Sequence, residues 1–447
     1  SNRNKAKSMG SLTGDVVSKR AQTLFMIVIF LVLLMVNAVF ATAISGLLVK
    51  FPSSVIPVWG AIFVALIIGQ IIFRKWMGLG TVSILGVVAL YLLIWAGPSA
   101  PLSLPETMGG LTDNASWVLI LFGYAAIASL LPVWMLLQPR DYINGLQLFI
   151  GLILLYAAVL LLGPDMTAPA FNTNLPENTP SMLPLLFVTI ACGAISGFHG
   201  LVASGTTSKQ LDKETDLRFV GYFGAIGEGS LSLATIIAAC AGFATLADWE
   251  AVYSSFGQGG VAAFVEGGAN IISQGVGLDN EIAETLLTVM AVLFAGTTMD
   301  TGLRLQRYIF QEWGNIYNIS WMQKALPATL LAVISCVALA FGAGSDGSGG
   351  LAIWPLFGTT NQLLAGLTLM VITVMLVRLG RPMYVTLLPL IFLLIMTVFA
   401  LFIQLKGFYM EENWFLFGLD IVVLIAAVWI ALEATSALSN LKKEQKS

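Results

Sequence analysis

The only histidine in the 447-residue sequence, His199, lies in ACGAISGFHGLVASGTTSKQ, where Gly193, Gly197, Gly200 and Gly205 alternate with Ser196, Ser204, Thr206 and Thr207. Glycines and hydroxyls at this density weaken a helix, and unwound backbone can hold a cation or a carboxylate where it lines a cavity rather than lipid. The hydroxyls of Ser204, Thr206 and Thr207 are oxygens of the type that bind sodium, and His199 can carry a proton near neutral pH. The same string also reads as close helix packing through small residues, with His199 a satisfied core side chain. Glu228, in GYFGAIGEGSLSLATII, has no basic residue within one helical turn. Its carboxyl is expected to be desolvated and its pKa raised, as a proton carrier needs, although a hydrogen bond from a neighbouring hydroxyl would make it structural. Asp300, in AGTTMDTGLRLQRYI, has Arg304 four residues later on the same helical face, which predicts an intrahelical ion pair. Thr297 and Thr298 beside Gly296 add oxygens that suit a small cation.

Two further segments combine a helix breaker with polar neighbours. In ASLLPVWMLLQPRDY, Pro132 removes an amide and predicts a kink at membrane depth; in IWPLFGTTNQLLAGL, Pro355 and Gly358 precede Thr359, Thr360, Asn361 and Gln362. Asn361 and its neighbours suit a neutral binding wall or interhelical hydrogen bonds. Cys192, Cys240 and Cys336 form no CxxC pair and sit in apolar stretches, which predicts buried thiols and neither a disulfide framework nor a metal site. No HExxH, GxSxG, Walker A or dinucleotide fingerprint occurs, so no metal and no organic cofactor is expected. An intramembrane hydrolase using Ser196 or Ser204 with His199 is the alternative class, and a passive channel is a third.

The elements that must position these residues follow from composition. Apolar residues make up 57% and charged residues 10% of the chain, against about a quarter charged in soluble domains, and mean hydropathy is +0.89. These values imply an all-α polytopic membrane protein. Windows long enough to cross the hydrocarbon lie near 21–48, 55–73, 78–97, 115–137, 142–163, 182–202, 219–245, 282–304, 324–343, 351–377, 383–405 and 414–437. They form one integral membrane domain over 1–447, with no period-two pattern of an outer-membrane barrel. With the amino terminus inside, basic residues fall in every cytoplasmic loop, including Arg74, Arg140, Lys213, Arg304, Arg307 and Arg378. Of the 21 Lys and Arg, only Lys50 and Lys406 lie outside. Segment 246–281 has no Lys or Arg and carries five acids; within it, Phe256 to Gly277 reads as an interfacial or re-entrant helix or as a flexible loop. Asp420 and Glu433 are expected to be interfacial. Net charge is −3 and no basic run alternates with aromatics, which argues against a nucleic-acid partner.

The strings CGAISGFHGLVASGTTSK, LPVWMLLQPRDYI, TTMDTGLRLQRYIFQ and IWPLFGTTNQLLAG, in this order, resemble the carbon starvation protein (CstA) family. The resemblance runs from the first residues to the last span. It implies a cell-membrane secondary transporter for peptides or small carboxylates such as pyruvate, by proton or sodium symport, within the amino acid-polyamine-organocation superfamily. It also implies two inverted five-helix repeats with broken first helices. Family members usually begin with further spans, one carrying a GAGP-type motif, whereas this sequence starts at Ser1 in what resembles the following cytoplasmic loop. A fragment lacking the first spans is therefore expected. Counting two preceding core helices makes the fourth span the first helix of repeat two, broken near Pro132. It makes the sixth span core helix eight, whose relatives help bind a coupling cation through backbone and Ser or Thr oxygens.

Overall fold

The computed structural model describes residues 1–173, 175, 179, 181–188, 195–254, 259–342, 344 and 346–444, with the side chains of all of these except 434 and 437–444. It is almost entirely α-helical; among the described residues the only strands are the short pair Thr107–Met108 and Leu111–Thr112. A short helix α1 (Met9–Val16) precedes α2 (Lys19–Lys50), α3 (Val55–Phe73), α4 (Leu79–Ala96), α5 (Asp113–Leu130) and α6 (Leu137–Leu162). There follow α7 (Gly197–Val202), α8 (Asp216–Ala241), α9 (Leu246–Val252), α10 (Gly260–Val276) and α11 (Asn280–Ile316). The last four are α12 (Ala325–Gly342), α13 (Gly349–Arg378), α14 (Tyr384–Met410) and α15 (Trp414–Glu444). Among the described residues 11 helices are long and apolar enough to cross a membrane. The chain is a multi-pass membrane protein.

The twelfth expected span is the sixth window, 182–202, where no long helix is described. Met182–Leu186 is a π turn interrupted by extended Leu183, Phe187 and Val188 are helical, and Ser196 is extended ahead of the helix Gly197–Val202. Cys192 and Gly193 lie outside the described residues.

The chain divides into two compact units. One comprises Ser1–Val36, Pro180–Gly229 and Ala352–Ser447; the other comprises Asn37–Thr179 and Ser230–Leu351. In the second unit α11 is the central helix, packing against α5, α6, α10 and α12, while α3 packs on α4 and α6. The stretch expected as an interfacial helix or a loop contains α10, packed on α6 and α11 with Phe264, Val265, Ile271 and Ile272 buried; its start, 256–258, lies outside the described residues. Glycine permits this packing: a Cβ on Gly267 would stand 2.1 Å from the Ala238 carbonyl oxygen, and one on Gly275 2.5 Å from that of Ala158. Lys50, the exceptional outer lysine, pairs with Glu266 of α10 at 2.6 Å.

Pro132 does not kink a span. Leu131 is extended (φ −67°, ψ 149°), as steric conflict with a following proline favours, and α5 stops at Leu130 before α6 begins. Pro355, in contrast, lies inside a continuous 30-residue α13, so the expected break there is absent. One amide is lost, and the Pro355 carbonyl accepts from Thr359 Oγ1 (2.9 Å) and Gln404 Nε2 (3.0 Å). Glu433 accepts from Ser18 Oγ at 3.4 Å. Asp420 is fully buried within the protein. Cys336 is a buried thiol donating to Gln306 Oε1 at 3.0 Å, whereas Cys240 is half-buried.

Candidate functional site

Two polar centres form, one in each unit. In the first unit Ser196 is extended and caps α7, its Oγ accepting from the His199 amide at 3.4 Å. Buried Asn361 of α13 holds the same turn: its Oδ1 accepts from the Phe198 amide at 2.8 Å and its Nδ2 donates to Ser196 Oγ at 3.0 Å. Gly197 makes this approach possible, because a Cβ there would lie 2.4 Å from the Asn361 carbonyl oxygen and 2.5 Å from Leu364 Cβ. Capping restarts the helix, so Ser196–Thr207 is not one non-helical break. The described break is at Ser196, followed by α7, a π turn over Ala203–Thr207 and a last turn over Ser208–Gln210.

Glu228 is not unpaired. Its Oε1 stands 3.4 Å from His199 Nε2, and the two side chains are 36% and 59% exposed. The nearest partner in sequence is irrelevant here, because the fold brings a residue from 29 positions upstream. Ser204 is buried, its Oγ donating to the Leu201 carbonyl (3.0 Å) and accepting from the Met9 amide (3.2 Å). Its hydroxyl thus donates once and accepts once within the protein, with one lone pair of Oγ remaining for the expected sodium site of Ser204, Thr206 and Thr207. A cavity of about 360 Å³ is lined by Gly200, Ser204, Thr207, Val220, Thr368 and others; Thr206 is not among its lining. The π turn shapes this wall, and such turns recur at functional positions. No Ser–His dyad forms among the described residues: Ser196 and Ser204 bond elsewhere, and the imidazole meets Glu228.

In the second unit the expected Asp300–Arg304 pair is replaced. Asp300 Oδ2 pairs with Arg140 Nη1 at 2.5 Å and accepts from Tyr124 OH at 2.9 Å, while Arg140 Nη1 also donates to Tyr124 OH. Asp300 and Arg140 are 0% and 2% exposed, so the pair is isolated from water. Arg304 instead donates to the carbonyls of Ala128 (2.7 Å) and Leu131 (2.9 Å), and Arg307 to that of Ser129 (2.7 Å). These are the orphan carbonyls at the end of α5, which have no later amide to satisfy them. Arg140, Arg304 and Arg307, read as loop charges, are therefore buried inside the protein. Thr297 and Thr298 both donate back to the Phe294 carbonyl. Pro132 acts only by ending α5.

Tyr124, Arg140, Asn144 and Gln147 escaped the sequence reading. The spacing of Arg140, Asn144 and Gln147 at i, i+4 and i+7 puts all three on one face of α6, and all are buried. That period was legible, but it was hidden by placing Arg140 in a loop.

The family profile described as Carbon starvation protein CstA matches residues 1–246 and 243–400. The chain is 32% identical to the peptide transporter CstA of Campylobacter jejuni over 465 aligned residues, covering 90% of this chain and 65% of that protein. It is 34% identical to the peptide transporter CstA of Helicobacter pylori (67% of this chain, 51% of that protein) and 29% identical to the pyruvate/proton symporter BtsT of Escherichia coli (91% and 67%). The chain thus spans from about half to two thirds of the length of these relatives. The profile match over most of its length, together with these relatives, places this chain in the carbon starvation protein CstA family.

Proposed function

We propose that the protein is a secondary active importer in the cell membrane, taking up peptides or small carboxylates with a proton as the coupling cation. The observation that carries this reading is the pairing of the chain's only histidine with Glu228 in the middle of apolar sequence. An imidazole and a carboxylate 3.4 Å apart can pass one proton between a charged and a neutral pair, and their partial exposure gives that proton a route in and out. Support also comes from the relatives, which are named as peptide transporters and a pyruvate/proton symporter. The cavity beside the π turn is within the size range of small-molecule sites, about 300–1,000 Å³. Sodium is the second coupling cation to be tested, with the oxygens of Ser204, Thr206 and Thr207 as its candidate ligands. Transport is read as alternating access, with the amino and carboxyl ends of this chain on the cytoplasmic side.

Uptake of labelled pyruvate and trialanine into proteoliposomes, with the proton and sodium gradients imposed separately, tests the reading. Accumulation driven by an inward proton gradient and collapsed by a protonophore is expected. Gradient-independent equilibration would make the protein a channel, and product formation without accumulation would make it an enzyme.

A further inference from the structure

Arg140 is held but not saturated. Its Nη1 meets Asp300 and Tyr124, whereas Nε and Nη2 are buried and have no hydrogen-bond partner among the described residues. These two nitrogens form one edge of the planar guanidinium and carry two parallel N–H groups, the arrangement that matches the two oxygens of a carboxylate. One and two turns further along the same face of α6, Asn144 and Gln147 are 4% and 1% exposed, and among the described residues neither the amide nitrogen nor the oxygen of either side chain has a partner. Buried polar atoms are nearly always satisfied, and these three side chains place six such atoms along one helix face. Tyr124 and Arg140 also line a small cavity of about 30 Å³ with Trp59, Ile62 and Gly296, room enough for an ordered water. Seating more than a carboxylate head requires this wall to open, which is the motion alternating access supplies.

We propose that the Nε–Nη2 edge of Arg140 is the receptor for the free carboxylate of the transported substrate. Asp300 and Tyr124 are positioning residues that fix the guanidinium through Nη1, and the Asn144 and Gln147 amides bond the polar groups next to that carboxylate. The proposal rests on the importer reading and deepens it, because a keto acid and a peptide carboxyl terminus share this chemistry. The discrimination lies in the hydrogen-bond geometry: a carboxylate offers two parallel acceptors to the remaining two donors, whereas an amide or ester analogue offers one acceptor and no anion. One bidentate charged contact is lost when the substrate carboxylate is converted to an amide.

The test measures binding of pyruvate, trialanine, pyruvamide and trialaninamide to the full-length protein purified in detergent. Wild type is expected to bind each acid at least about tenfold more tightly than its amide, the scale of a charged hydrogen-bonded contact. The double variant Arg140→Gln/Asp300→Asn, which neutralises both partners at nearly constant shape, is expected to lose that preference while keeping a cooperative melt. Gln147→Leu, which leaves the ion pair intact, is expected to weaken acid and amide alike and serves if the double variant does not fold. Preference for trialanine but not pyruvate identifies a peptide carboxyl terminus as the source, and the reverse identifies a keto acid. Equal binding of acids and amides by wild type, or an acid preference that survives in the double variant, overturns the assignment. Carboxylate-selective binding without gradient-driven uptake overturns the importer reading and leaves this site standing.

Discussion

At the scale of single residues, the contact between His199 and Glu228 separates a proton role from a packing role. Glu228→Gln mimics a permanently protonated carboxyl, so concentrative uptake should be lost while counterflow exchange of substrate, which needs no proton release, survives. Unchanged pH dependence of uptake in that variant would remove Glu228 from the coupling step. Glu228 itself was legible as an ionisable group in an apolar helix, but its partner was not, because His199 comes from another segment. Gly197 illustrates the opposite case, in which the residue type was visible and its reason was steric. Gly197→Ala drives a Cβ into the Asn361 carbonyl and Leu364, and should destabilise the protein by about 1–3 kcal/mol in a thermal or denaturant melt. A melt equal to wild type would mean that α7 can move away from α13 at no cost.

At the scale of elements, the end of α5 decides where two arginines go. Leu131 is forced extended by Pro132, which leaves the carbonyls of Ala128, Ser129 and Leu131 without helical donors, and Arg304 and Arg307 reach across from α11 to fill them. Arg304→Met retains length and apolar contact but removes the donor to two buried carbonyls, so a loss of about 1–3 kcal/mol is expected for each group left unsatisfied. Were Arg304 mainly the partner of Asp300, the Asp300→Asn variant would relieve most of that loss; independence of the two changes in a double-mutant cycle is the expected outcome. The i, i+4 spacing alone favoured the intrahelical pair. It lost because Arg140 Nη1 reaches Asp300 Oδ2 at 2.5 Å, while the Arg304 guanidinium is committed to the carbonyls of Ala128 and Leu131. Pro132 and Pro355 show the same dependence on context: the first ends a helix and the second is absorbed within one, although both read as breakers.

At the scale of the whole molecule, the charge distribution predicts which ends of the helices face the cytoplasm. Cysteines placed at exposed Arg74 and Lys213 should react with a membrane-impermeant thiol reagent only from the cytoplasmic side, and cysteines near Leu102 and Asn172 only from outside. Outside labelling at Lys213 would invalidate the topology. Arg140, Arg304 and Arg307 are unsuitable positions, since burial and not loop location explains them. The sequence by itself determined the class of the protein, the positions of 11 long helices and the weakness of the sixth segment, because hydrophobic length and glycine content act locally along the chain. It also marked Glu228, His199, Asp300 and Asn361 as polar groups that are costly in apolar surroundings. Only the tertiary structure decided their partners. His199 with Glu228, Arg140 with Asp300 and Tyr124, and Asn361 with Ser196 and Phe198 are contacts between different helices. Burial turns the Arg140–Asp300 and Asn361 pairings into energetic preferences, yet which helices adjoin depends on the packing of whole faces, a property no local window contains.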